Sequence, residues 1–123
     1  MQVGDRNEIV KEVSKEFSAK EFGSGSVDVL ATPAMIAFME EAALKLVDSQ
    51  LDEDRATVGS LVNVKHLAPT PVGDKVKVNA VLKEVDGKRL VFEVTAHDSN
   101  NKIGEGEHER FIINLSKFMN KLS

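Results

Sequence analysis

The sequence contains no cysteine, no tryptophan and no tyrosine. Without cysteine there is no disulfide framework, no thiol nucleophile and no thiolate metal site. Six phenylalanines are the only aromatic residues, so there is little with which to stack on bases or sugars. No apolar run reaches the roughly 18 residues needed to cross a bilayer. The segment MQVGDRNEIVKEV carries no signal-peptide pattern. Basic residues number 16 against 20 acidic, a net charge of −4, which argues against a general nucleic-acid binder. The three histidines show no i,i+4 or alternate-strand pairing that could hold a metal. Gly-Ser-Gly-Ser at 23–26 lacks the lysine and following hydroxyl of a phosphate loop. Gly104 and Gly106 are too sparse to cradle a phosphate and mark a bulge or a close backbone approach. These absences lead to the expectation of a single soluble, cytoplasmic domain over residues 1–123, long enough for a real core.

What is present is organised around TPAMIAFMEEAALKLV, residues 32–47. Thr32 suits an N-cap, Pro33 suits the first helical position, and no glycine interrupts the run. Between Pro33 and Val47 only Glu40, Glu41 and Lys45 are charged, too few for a helix lying on a surface. At about 100° per residue, Glu41, Lys45 and Asp48 form a narrow polar stripe. Glu40 stands apart, among Pro33, Ile36, Ala37, Ala43, Leu44 and Val47. A carboxylate in that surround is either paired at the seam of a subunit contact or working in a pocket, because desolvating an unpaired charge is costly.

Residues 7–18 fit an alternating strand through Ile9, Val13 and Phe17, although Val10, Val13 and Phe17 also fit a helical stripe. The strand reading is preferred. FGSGSVDVLA (22–31) reads as loop, and DSQLDEDR (48–55) as a solvated acidic turn. From Thr57 the period becomes two, with Val58, Ser60, Val62, Val64 and His66 sharing a face. Pro69 and Pro71 then break the ladder. Val76, Val78, Ala80 and Leu82 point one way in the next run, and Asp86-Gly87 marks a hairpin. Leu90, Phe92, Val94 and Ala96 align in the following strand, Asp98–Asn101 forms a turn, and Lys102–Asn114 is the last strand. LSKFMNKLS suggests a short terminal helix. Four consecutive strands with short loops suggest an antiparallel meander. The economical fold is α+β, a curved sheet wrapped on a central helix. One sheet cannot enclose so apolar a helix, so a dimer is expected.

Few residues could perform chemistry. His97 lies on a polar strand face and reads as exposed. His108, in GEGEHERF, reads as a surface ion pair. His66 continues an inward row to the strand end, as a hydrogen-bonded core residue or as a catalyst.

Three segments, LATPAMIAFMEEA, VGSLVNVKHLAPTPVGDKV and VDGKRLVFEVTAHDSNNKIGEGEHERF, resemble the hotdog-fold thioesterases of the fluoroacetyl-CoA thioesterase type, from about Val29 to Phe118. The resemblance implies a β-α-β4 hotdog fold working as a homodimer, with a higher oligomer as an alternative, and an acyl-CoA substrate. It implies a catalytic set of Thr32, Glu40 and His66, with Gly59 lining the acyl pocket and Arg110 acting as an ion pair or a contact to the coenzyme. No cofactor, metal, nucleic acid or membrane is implied, coenzyme A being part of the substrate. Aromatic lid residues found in fluoroacetate-specific members have no counterpart in GSGSVDVLA, which points to small or medium acyl-CoA esters in general.

In that scheme Glu40 attacks the thioester carbonyl or activates water, His66 assists proton transfer or polarises the carbonyl, and Thr32 positions substrate or stabilises negative charge. Eight helical residues rise about 12 Å, so Thr32 and Glu40 cannot touch on one regular helix. Either the first turn is irregular or the site draws on two subunits near a dimer interface. The rival reading is a non-catalytic acyl-CoA-binding hotdog module in which Glu40 is merely interfacial. A dehydratase on the same fold lacks its usual Asp/His pair here.

Overall fold

The computed structural model describes residues 1–123. The apolar run at 32–47 forms one unbroken helix, α2 (Thr32–Val47). Ala31, in extended backbone, precedes the first turn, and Thr32 is itself helical with no side-chain capping bond. The capping expected of Thr32 is therefore corrected, and its hydroxyl is free for another partner.

Five antiparallel strands wrap this helix: β1 (Arg6–Glu12), β2 (Arg55–His66), β3 (Lys75–Asp86), β4 (Arg89–His97) and β5 (Lys102–Asn114). Alternation of Val76, Val78, Ala80 and Leu82 in β3 with Leu90, Phe92, Val94 and Ala96 in β4 gives the sheet its apolar inner face, and all eight are fully buried. They meet Met35, Phe38, Met39, Ala42 and Leu46 from α2 in a single core. Each large side chain buried there contributes about 1.5–3 kcal/mol relative to exposure. The strand reading of residues 7–18 holds over 7–12 only and is corrected beyond, where Lys15–Phe17 makes a single 3-10 turn. Ala19–Phe22 then forms a short helix, α1, that closes on Gly23 at φ 75°. A terminal helix, α3 (Leu115–Asn120), is present as expected. No helix is long and apolar enough to cross a membrane.

The meander is a correction. The sheet order is β1-β3-β4-β5-β2, so only β3, β4 and β5 follow one another, and β2 pairs with β5. The Pro-containing connection after His66 is held elsewhere: Leu67 N–H donates to the Ile103 carbonyl (2.7 Å), Leu30 N–H to the Thr70 carbonyl (2.8 Å), and Val29 pairs with Pro71. A segment so anchored crosses to β3 instead of folding back as a hairpin.

A second correction lies within β2. Its register with β5 shifts between Gly59 and Leu61, so Ser60 is the extra residue of a bulge. A one-residue insertion exchanges the two faces of a strand. Val62, Val64 and His66 follow the expected face, but before the bulge it is Thr57 and Gly59 that share it, and Val58 pairs with Phe111 on the other side. The strand is also an edge, with Leu61 and Val62 each 40% exposed.

Candidate active site

Two groups of polar side chains lie along the helix side that the chain leaves uncovered. At its start, the first residue of α2 meets the last residue of β2: the Thr32 hydroxyl lies 2.7 Å from Nδ1 of His66. Nε2 of His66 is buried and has no hydrogen-bond partner. Burial pushes the His66 pKa below its ordinary value, offset in part by the Ala68 backbone, so the ring is neutral at pH 7. An unpartnered pole on a neutral imidazole is available to a substrate atom. The cleft over this pair, about 380 Å³, is lined by Val27, Val29, Leu67, Ala68 and Pro69. A polar hollow elsewhere, bounded by Asn63, Lys65, Glu93 and Glu105 on the outer sheet face, contains none of the candidate residues.

Two turns along α2, Glu40 faces Gly59. A Cβ added to Gly59 would lie 2.8 Å from Glu40 Oε2, 3.3 Å from His108 Cε1 and 3.5 Å from Arg110 Nη1. Glycine is thus the residue that lets the carboxylate reach the strand. The Glu40 side chain is 40% exposed in the single chain, and its ionic partner is Arg110 at 3.9 Å. Pro33 and Ala37 beside it are exposed and Ile36 and Leu44 half-buried, whereas Ala43 and Val47 turn into the core. The apolar surround read from the sequence is half an open surface.

Arg110 is itself buried. Its Nε donates to the Thr57 hydroxyl (2.8 Å), Nη2 to the Thr57 carbonyl (3.0 Å) and Nη1 to His108 Nε2 (3.2 Å). The Thr57 hydroxyl in turn donates to Asp48 Oδ1 at 2.5 Å. Desolvation lowers the Arg110 pKa, opposed by the charges of Asp48 and Glu40. His108 corrects the surface ion pair expected of it: it is 1% exposed, stacks on Phe92 with centroids 6.1 Å apart, and its Nδ1 bonds the Leu61 carbonyl at 2.8 Å. Burial lowers its pKa as well. His97 is exposed, as read.

The structure therefore joins Thr32 to His66, and Glu40 to Gly59 and Arg110, in two separate groups. α2 is regular from its first turn, which removes the irregular-turn route to bringing Thr32 against Glu40. Sequence reasoning missed Thr57, Asp48 and His108. The signal available for the first two was an acid at a helix C-terminus, where the dipole disfavours it. No group of His, Cys, Asp and Glu side chains is placed to hold a metal ion.

The chain matches the family described as fluoroacetyl-CoA-specific thioesterase over residues 13–116. It belongs to that family. The family consists of thioester hydrolases, and the hotdog architecture read from the sequence is the one observed. A fluoroacetyl-CoA thioesterase from Streptantibioticus cattleyicolor is 40% identical over 95 residues, covering 77% of this chain and 68% of that protein. A crystal structure of a fluoroacetyl-CoA-specific thioesterase variant with fluoroacetate and CoA superposes with a TM-score of 0.92 at 34% identity, covering 96% of this chain and 99% of the other. A hot-dog-like protein from Thermanaerovibrio acidaminovorans superposes with a TM-score of 0.91 at 25% identity, over 99% and 90% of the two chains.

Proposed function

We propose that this family member hydrolyses small or medium acyl-CoA esters to free acid and CoA as a homodimer, with Thr32 and His66 of one protomer facing Glu40 of the other. One observation carries the proposal: the Thr32–His66 pair and the Glu40–Gly59–Arg110 group occupy opposite ends of the same uncovered helix side. A two-fold axis through the middle of that side exchanges its ends, so each end of one protomer meets the complementary end of the other. Such an axis also covers Pro33, Ala37 and the exposed edge of β2.

In the composite site the thioester carbonyl meets the free pole of His66, while Thr32 fixes the ring through Nδ1. The carboxylate of Glu40, opposed to Arg110, supplies the anionic group that attacks the carbonyl carbon, directly or through a water it deprotonates. The carbonyl π pair moves to oxygen. Its return breaks the C–S bond and expels the CoA thiolate, which leaves as the thiol on taking a proton from the water consumed. That proton is the one Glu40 removes in the water route, or, in the direct route, the one released when water cleaves the mixed anhydride and frees the Glu40 carboxylate. Gly59, which the Glu40 carboxylate approaches closely, borders the acyl group in this site. The absence of an aromatic residue between Gly23 and Ala31 supports acyl-CoA esters in general over fluoroacetyl-CoA alone.

The test is thiol release across acetyl-, fluoroacetyl-, butyryl- and octanoyl-CoA by the wild type, Glu40→Gln and His66→Ala. Turnover of the shorter esters, with each variant slower by about 100-fold or more and still folded, is expected. Tight CoA-ester binding with no thiol released would return the chain to a binding module.

A further inference from the structure

Asp48 stands where helix electrostatics oppose it. It closes α2, and a carboxylate at the negative end of a helix is unfavourable. Asp48 nevertheless turns away from the solvent stripe of Glu41 and Lys45 and bonds both the hydroxyl (2.5 Å) and the amide (3.3 Å) of Thr57. Arg110 poses the matching question. A buried guanidinium is costly, and apolar residues of similar volume usually serve a core as well. Here the guanidinium is held on three sides. Thr57 takes Nε and Nη2, and His108, whose Nδ1 donates to Leu61, presents Nε2 as an acceptor to Nη1. Nη1 also lies 3.9 Å from Oε2 of Glu40, as an ion pair.

We infer that Thr57 and Asp48 are positioning residues for hydrolysis, fixing Arg110 so that its Nη1 holds the Glu40 carboxylate in its reactive place against Gly59. This inference rests on the proposed role of Glu40. The Thr57 hydroxyl is the pivot. Because it donates to Asp48, its lone pairs are turned to Arg110 Nε, and the carbonyl of the same residue takes Nη2. Both anchors move together with β2, on the inner face set by the bulge after Gly59. Glu41, the other acid of that turn, is engaged by Lys11 at 3.1 Å and Lys45 at 2.7 Å and takes no part. Glu40 itself touches neither Thr57 nor Asp48, so neither is a catalytic residue.

The experiment is a double-mutant cycle in acyl-CoA hydrolysis, combining Thr57→Val, Thr57→Ser and Asp48→Asn with Glu40→Gln. Slow variants are measured by single turnover with enzyme in excess. Thr57→Val is expected to lower kcat by about 10-fold with KM little changed, and Thr57→Ser to restore it. In the Glu40→Gln background Thr57→Val costs nothing further, because the carboxylate it serves is gone. Asp48→Asn, which keeps the side-chain shape, gives a smaller loss of about 3-fold that also disappears in Glu40→Gln. If Thr57→Val does not fold, Asp48→Asn and Thr57→Ser decide alone. Equal losses in both backgrounds, or wild-type kcat in Thr57→Val or Asp48→Asn, overturn the positioning chain. Near wild-type activity in Glu40→Gln overturns instead the catalytic role of Glu40, and with it the premise.

Discussion

The 2.7 Å contact between the Thr32 hydroxyl and Nδ1 of His66 ties the first residue of the central helix to the last residue of β2. It explains why Thr32 does not cap its own helix. It also fixes the imidazole while leaving Nε2 without a partner, an arrangement whose desolvation cost has no structural return unless a substrate atom completes it. Thr32→Val keeps the shape and removes the hydroxyl, so kcat should drop by about 10- to 100-fold, the equivalent of one lost hydrogen bond of about 1–3 kcal/mol. Thr32→Ser should retain most activity. Steady-state thiol release decides it, and a fully active valine variant would remove Thr32 from the mechanism.

Gly59 makes a sharper test, because its effect on the site separates from its effect on the fold. An alanine Cβ would come within 2.8 Å of Glu40 Oε2. The far end of a glutamate moves easily, and only the buried His108 ring, 3.3 Å from that Cβ, must give by a few tenths of an ångström, so stability should fall by no more than about 1 kcal/mol. The carboxylate, however, is pushed from its place, and kcat should fall by about 10-fold or more. Urea unfolding beside kinetics on the same preparation reads both quantities. An alanine variant with intact kcat would show that the approach of Glu40 to β2 does not matter for turnover.

These two residues also show what could be read in advance. The helix was legible because uninterrupted apolar residues from Ala34 to Met39 leave few alternatives, and the β3–β4 hairpin because Asp86-Gly87 permits the turn, with Gly87 at φ 61°. The strand order was not. Short spacing favours sequential pairing, and only the anchoring of Leu67, Thr70 and Pro71 to other segments sends β2 to the far edge. The parity of Val58 failed for one reason, the extra residue at Ser60, which period-two reasoning cannot see. Of the candidate site, Glu40 and His66 stood out from the helix and strand patterns, whereas Thr32, Gly59 and Arg110 came from the resemblance. Their division into two groups needed the helix to be regular from its start. His108 was misread because GEGEHERF places acids beside it in sequence, whereas strand alternation sends those acids to the opposite face.

Burial of two neutral histidines gives the fold a pH dependence with a definite sign. Both His66 and His108 titrate below the ordinary histidine value of 6.5. Between their lowered values and 6.5 the unfolded chain binds more protons than the folded one, so stability rises with pH in that window. Their contribution is complete above 6.5 and is lost as pH falls through the folded-state values. The urea midpoint should therefore decline on acidification from pH 7 toward 5, beyond what carboxylate titration accounts for. His108→Asn should flatten that decline while lowering stability at pH 7. An unchanged slope in the variant would mean that His108 takes up its proton in the folded protein as readily as in the unfolded one.

Assembly can be tested at one position on β2. Val62 is 40% exposed on the helix-side face of a twelve-residue edge strand. Edges of that length are normally blunted by charge, proline or cover, and this one exposes Val62 on its inner face while Pro33 and Ala37 of the helix are exposed as well. A second copy is the cover that the proposed active site also requires. The wild type should therefore run as a dimer by light scattering at micromolar concentration. Val62→Asp places a carboxylate in the apolar seam, whose desolvation costs at least about 1–3 kcal/mol for each copy. Because the two-fold repeats the change, the dimer is weakened twice over, and the variant should dissociate. Within each protomer Val62 is already open to solvent, 40% exposed, so circular dichroism should report an intact fold. The composite site then predicts that activity disappears together with the dimer and returns as protein concentration is raised. A folded monomeric variant that hydrolyses acyl-CoA at the wild-type rate would place Thr32, His66 and Glu40 in one protomer's chemistry and end the two-subunit arrangement.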